Sequence, residues 1–237
     1  VQAQALVVIK HLTFPPSWQL VNAKQLLQDV THLQQLTHPQ LITYQDAFAI
    51  GSAASSEWLL LRPFIPGQSL QGFWQEGRTC TEAQAKQLAT ALLVLLESLH
   101  QHCPAIIHAA LSAGNVVMSS DRRPYLVDFV CPSVRSQQPA SLSAAPANLM
   151  DAPVPSHPTL LPATDLYDLG TLLITLITGR LLPDLPYDGT RIDLNAIVDL
   201  SPPFVDWLTW LTEAQPDRRP ASATIAREAL LPQGKLT

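Results

Sequence analysis

At Pro66-Gly67 the chain changes character, and that switch restricts its fold to one class. Upstream, Ala5 to Ile9 is a short apolar, β-branched run that Lys10 ends, which reads as a strand with a cation at its tip. Leu41 to Ile50 and Trp58 to Arg62 read as two more strands, joined by the turn-forming stretch Gly51 to Ser56. One helix lies among them. Ser17 follows Pro15-Pro16 as its N-cap, and Leu26, Leu27, Val30, Leu33 and Leu36 recur at spacings of three and four to form an apolar stripe. His38-Pro39 stops it.

Downstream the signals are mostly helical. Ser69 to Trp74 predicts a short helix, and the capping box of Thr81 with Gln84 opens a long one reaching about His102. Thr164 caps a very apolar helix to Thr178 with Gly179 as its stop. Ser201-Pro202 opens another to about Thr212, and Ala221 to Leu230 makes the last. A hairpin of Val116 to Met118 and Tyr125 to Val127 flanks the polar turn at Ser119 to Arg123. Cys131 to Pro162, rich in Pro, Ser and Ala, predicts a long mobile loop. Strands with one helix, followed mostly by helices, make an α+β pattern in two lobes: a reduced N-lobe over 1–65 and a helical C-lobe over 66–237.

Composition removes several function classes. The net charge of −5, with no run of basic residues, argues against nucleic acid as a partner. The most apolar stretch, Leu88 to Leu99, is interrupted by Thr90, Glu97 and Ser98 and is too short for a membrane span. Cys80, Cys103 and Cys131 are too far apart for a CxxC site, and an odd, low count fits a reducing, cytoplasmic setting. The first residue is Val1 rather than Met, which suggests a processed protein or a fragment.

Seven segments carry a resemblance. In chain order they are VVIK ending at Lys10, LTHPQLITY from Leu36, LRPFIPGQSL from Leu61, IIHAALSAGNVVM from Ile106, YLVDFV from Tyr125, TDLYDLGTLLITLITGR from Thr164, and PDRRP from Pro216. Together they resemble the eukaryotic-type Ser/Thr protein kinases, particularly the bacterial and cyanobacterial branch, over almost the whole chain. The resemblance implies a bilobal kinase-like fold.

It also assigns a task to each position. Lys10 matches the strand lysine that holds nucleotide phosphates, and Asp29 falls where the family has the helix Glu that orients it, one methylene shorter. The family's catalytic loop, H-R-D-L-x-x-x-N, reads His108-Ala109-Ala110-Leu111-Ser112-Ala113-Gly114-Asn115 here. Ala110 replaces the proton-accepting Asp, a loss worth roughly 10²- to 10⁴-fold in rate. Ala109 removes an arginine and Ser112 a lysine. Asn115 and Asp128 match the two metal ligands and are candidates to hold magnesium with a weakly bound ATP. Loop hydrogen bonding is the equally weighted alternative for both. Val130 stands where D-F-G has its glycine. Nine residues precede Lys10 and none is glycine, so the phosphate-covering loop is either missing from the protein or outside this fragment.

The skeleton positions are retained. Leu33, His108, Phe129 and Asp165 match residues that stack the lobes and tether the catalytic loop, with Asp165 expected to accept backbone N–H groups from the His108 loop. Arg219 matches an arginine whose usual glutamate partner, that of A-P-E, is missing between Val130 and Asp165; a surface ion pair elsewhere is the expectation for it. The implied function is a non-catalytic pseudokinase that binds another protein, with weak or no ATP binding. The alternative is atypical phosphoryl or nucleotidyl transfer using Lys10, Asn115 and Asp128. Phe73-Trp74 and Trp207/Trp210 are candidate partner surfaces, with burial in the helical lobe the simpler expectation.

Overall fold

The computed structural model describes residues 6–14, 20–51, 57–129, 161–188, 191–194 and 198–231. The upstream part is a three-stranded antiparallel sheet in the order β1 (Val7–Thr13), β3 (Glu57–Pro63), β2 (Asp46–Ala49), with helix α1 (Leu20–Leu33) inserted between β1 and β2. β1 runs past Lys10 to Thr13, so the lysine sits mid-strand with its Cα opposite Leu60. The cation does not end the strand because alternation continues through it: Val8, Lys10 and Leu12 share the more buried face.

Helix α1 is shorter than its apolar stripe implies. Leu26, Val30 and Leu33 are buried, whereas Leu27 is 43% exposed and Leu36 lies beyond the last turn. The helix stops at Leu33, five residues before His38. The Ser17 N-cap lies outside the described residues. Leu41, expected to start a strand, makes only an isolated parallel bridge to Leu126.

Downstream, β4 (Gly67–Ser69), β5 (Val116–Ser119) and β6 (Pro124–Leu126) form a second small sheet. Ser69 caps α2 (Leu70–Gln75) by accepting from the Gly72 backbone N–H at 3.1 Å. The Thr81–Gln84 capping box opens α3 (Glu82–His100) as the sequence predicts. This helix buries Ala85, Ala89, Leu92, Leu93, Leu95, Leu96 and Leu99 to 1% exposure or less, which makes it the axis of the downstream core. It packs against α4 (Pro162–Thr178) and α6 (Ala223–Leu230), and α5 (Pro202–Leu211) lies on α4.

Helix α4 begins at Pro162 rather than behind a Thr164 cap. Proline is favoured in the first turn because its missing N–H has no partner there to lose. Gly179, at φ 70°, closes the helix in the left-handed region. Ser201 does not cap α5; its backbone N–H and hydroxyl both donate to Glu82 on α3, at 2.8 and 2.5 Å. Ser222 is the side-chain cap of α6. A two-stranded ribbon, β7 (Tyr187–Asp188) with β8 (Arg191–Ile192), completes the described elements. The expected loop over 131–162 lies outside the described residues except for its last two positions, which begin the approach to α4.

One apolar core runs through both parts, from Leu26, Val30 and Leu60 upstream to Phe129, Leu166 and Leu208 downstream. The segment after α1 ties the parts together: Ile42 N–H donates to Leu126 O at 2.8 Å, and Leu126 N–H to Gln40 O at 2.9 Å. The fold is therefore an α+β arrangement of a small sheet region with helices. No helix among the described residues is long and apolar enough to cross a membrane.

Candidate functional site

Alternation along β3 decides what the sheet presents inward. Trp58, Leu60 and Arg62 are buried and the residues between them are not. Val8 is paired with Arg62 and Lys10 with Leu60, so Arg62 and Lys10 lie diagonally on one face of the sheet. Two cations thus project from a mostly apolar surface.

On the other side, β6 leads into Val127-Asp128-Phe129. The Asp128 backbone is left-handed, at φ 59°, which an aspartate tolerates better than most side chains. Its carboxylate meets Arg62. Arg62 Nε donates to Oδ1 at 2.8 Å and Nη2 to Oδ2 at 3.5 Å, while Nη1 donates to Pro63 O at 3.3 Å. The two side chains are 10% and 21% exposed, so solvent screens the pair only weakly. Asp128, expected as a metal or nucleotide ligand, spends both oxygens on a cation of the chain. Arg62 is the residue that sequence reasoning did not single out. Its signal was parity: it falls two residues beyond Leu60 and four beyond Trp58 in an alternating strand.

The loop from His108 to Asn115 is held from below. Asp165, 0% exposed at the start of α4, accepts from the His108 N–H at 2.9 Å and the Ala109 N–H at 2.7 Å. His100 Nε2, from the end of α3, lies 2.9 Å from the same carboxylate. Ala109 is itself left-handed, at φ 60°, a conformation that costs an alanine roughly 1–2 kcal/mol. The short bond to Asp165 over-determines it.

His108 is fully buried. Its Nε2 donates to Val127 O at 3.1 Å, and its ring lies 4.6 Å from the Phe129 ring, centroid to centroid. Burial pushes its pKa below the ordinary imidazole value, against the opposing pull of Asp165, the Val127 carbonyl and Asp128, while Lys10 acts with burial. The ring is neutral at pH 7. Phe129 is 1% exposed, and Tyr44 Oη donates to its carbonyl at 3.0 Å. Leu33 belongs to the same core.

Asn115 Nδ2 donates to Ala110 O at 2.8 Å, and the Asn115 carbonyl accepts from Val127 N–H at 3.0 Å. The amide is thus engaged in loop hydrogen bonding. Ala110 presents a half-buried methyl group, and Ser112 is exposed. Asp29 is half-buried on α1 and accepts from Gln25 Nε2 at 3.2 Å. Val130 lies outside the described residues.

Magnesium needs several oxygen donors converging on one point. Here the Asp128 carboxylate of the expected pair is forked by a guanidinium, which leaves only the Asn115 Oδ1 of that pair unspent. Among the described residues no group of three or more His, Cys, Asp or Glu is placed to hold a metal ion. The donor set as arranged does not fit the ion.

Arg219 takes backbone partners rather than the surface ion pair anticipated for it. It donates to Glu213 O at 2.7 Å, Ala163 O at 2.9 Å and Ala214 O at 3.1 Å, and it lies 4.5 Å above the Tyr167 ring. The guanidinium therefore joins the end of α5 to the start of α4. Among the aromatic candidates for a partner surface, Trp207 is 4% exposed and donates to Ala226 O at 2.8 Å, so it is core. Trp210, Phe73 and Trp74 are half-buried against that core, with the Arg78 guanidinium over Phe73 at 4.3 Å. Burial also raises the Cys80 thiol pKa, which keeps it protonated and inert.

The family model described as Protein kinase domain matches residues 1–230. The serine/threonine-protein kinase-like protein E of Synechocystis is 29% identical over 215 residues, covering 85% of this chain and 30% of that protein. Serine/threonine-protein kinase C of the same organism is 26% identical over 189 residues, covering 73% of this chain and 34% of that one. The chain thus spans about a third of these curated relatives. The crystal structure of the PknI kinase domain of Mycobacterium tuberculosis superposes with a TM-score of 0.67 at 20% identity, covering 94% of this chain and 84% of that one. With a matching model over nearly its whole length and the same architecture, the chain belongs to the protein kinase domain family.

Proposed function

We propose that the chain is a pseudokinase: a cytoplasmic domain that acts by binding another protein and does not transfer phosphate. The observation that carries this reading is the state of the acids around the catalytic loop. Position 110 offers a methyl group. Among the described residues, Asp165 holds the His108 loop and Asp128 lies beyond Val127, whose carbonyl accepts from His108. Asp165 is fully buried beneath two backbone N–H groups and an imidazole. Asp128 is forked by Arg62. A general base must lie within hydrogen-bond reach of the hydroxyl it deprotonates and be free to take the proton. Neither carboxylate meets that requirement.

The structural positions support binding rather than chemistry. His108, Phe129, Asp165 and Arg219 all take part in contacts that hold the loop and helices in place. Such a frame keeps a kinase-shaped surface intact without turnover.

The test is transfer of label from γ-³²P-ATP and from α-³²P-ATP, with magnesium or manganese, to the chain itself and to a generic acceptor protein. Incorporation equal to that of Asp128→Ala is the expected result. Incorporation well above that variant would overturn the reading, and the position of the label would then separate phosphoryl from nucleotidyl transfer.

A further inference from the structure

We propose that Arg62 is a built-in counter-ion: its guanidinium holds the place at Asp128 that a divalent cation would need, so the cleft between the sheet and the catalytic loop does not take metal through Asp128. The pair's geometry supports this. An arginine turned inward between β1 and the core must find a partner, because an unpaired charge there loses its water without compensation. Asp128 supplies it through a two-point fork, and the Pro63 carbonyl fixes the third donor. At 10% and 21% side-chain exposure, water cannot readily substitute for either partner.

The surroundings point the same way. Lys10 lies diagonally beside Arg62 on the same face of the sheet. The Arg62 cation sits directly on the Asp128 carboxylate. A divalent ion entering at Asp128 would have to displace the Arg62 guanidinium from both carboxylate oxygens and would meet its positive charge as it did so. Asn115 donates through Nδ2 to Ala110 O, so its Oδ1 is the second oxygen donor that a freed Asp128 would join. None of this depends on the methyl group at 110, so the inference stands or falls separately from the loss of the base.

Manganese is the probe, followed by the electron paramagnetic resonance signal of the free ion and by thermal melting with manganese or EDTA. Wild type should show no site that depends on Asp128 and an unchanged Tm. Arg62→Met should gain one site, roughly tenfold or more tighter than any wild-type binding, and its Tm should rise with manganese. Arg62→Gln, which keeps a donor for Asp128 but no charge, should gain the same site and serves if the Met variant folds poorly. Arg62→Lys, which keeps the charge, should gain none. The gain must vanish in Arg62→Met/Asp128→Asn. A wild-type site abolished by Asp128→Asn would overturn the proposal, as would charge-neutral variants that fold and bind no more manganese than wild type.

Discussion

The buried carboxylate of Asp165 holds the backbone N–H of Ala109 at 2.7 Å across 56 residues of chain, and it does so at a residue whose backbone is left-handed. Helix α4 thereby sets the shape of the catalytic loop without supplying any chemistry to it. Asp165→Asn puts an amide under two N–H groups and removes the charge that binds them. It should cost about 2–4 kcal/mol, in the range for breaking a buried charged hydrogen-bond network. Urea unfolding measures this directly. A loss under about 0.5 kcal/mol would mean that the loop shape is set elsewhere.

At Ala109 itself two small terms oppose each other. Glycine removes a mostly buried methyl group, worth about 0.8 kcal/mol, but relieves a left-handed alanine, worth roughly 1–2 kcal/mol. Relief wins by a narrow margin, so Ala109→Gly should be neutral to slightly stabilising. Ala109→Val adds β-branching at the same φ and bulk in a packed site, and should be destabilising by more than about 2 kcal/mol. Midpoints in urea should rank glycine at or above alanine, and valine well below. Any other order would remove the strain argument.

Much of this frame was legible in the sequence because its signals are local. The Thr81–Gln84 box and the stop at Gly179 depend on residues within one or two turns, and both formed as read. An acid opening so apolar a helix needs a partner, the kinase resemblance implies that Asp165 finds it in the His108 loop, and the structure places the His108 and Ala109 N–H groups on it. What could not be read was long-range. Arg62 and Asp128 lie 66 residues apart, and only the strand's register makes them meet. Nothing near Arg219 in sequence announces that its partners are the carbonyls of Ala163, Glu213 and Ala214. Helix α1 was read too long because periodicity reports which face is apolar, not where the backbone stops turning.

Acid should weaken the fold in two separate steps. His108 is buried with its pKa below the ordinary 6.5. Below that value the unfolded chain takes up a proton that the folded chain refuses, so stability is full above pH 6.5 and falls as the pH drops. Glu82 acts in the same sense at lower pH. Burial pushes its pKa up, but hydrogen bonds from Lys86 and Ser201 and the Lys86 charge outweigh it, leaving the carboxyl at about 2. Its contribution is present above pH 4.5 and is lost as the pH falls towards about 2. His108→Gln should flatten the upper step only, and Glu82→Gln the lower only. Urea midpoints across pH separate them, and a variant that flattens the other's step would contradict the assignment.

Gly67 sets how closely β4 approaches β5. A Cβ there would lie 2.3 Å from the Met118 carbonyl oxygen, and a backbone atom cannot swing aside as a side chain can. Gly67→Ala must open the β4–β5 pairing, which spans only three residue pairs and carries the chain into α2. A cost of about 2–3 kcal/mol is expected. Faster hydrogen exchange at the β4–β5 ladder should accompany it. A variant as stable as wild type would show that the strands separate without penalty.

Restoring the missing acid tests how many deficits the site carries. Ala110→Asp returns a carboxylate to the catalytic loop, and a base of this kind is worth roughly 10²- to 10⁴-fold where the rest of the site is competent. Here Asp128 remains forked by Arg62, so the single substitution should leave phosphoryl transfer from labelled ATP at background. Freeing Asp128 alone, in Arg62→Met, should also stay at background for want of a base. Activity should first emerge in the double variant, and it should vanish again when Asp128→Asn is added. Transfer by Ala110→Asp alone would show that the guanidinium yields to substrate, and the counter-ion at Asp128 would then be no barrier to catalysis.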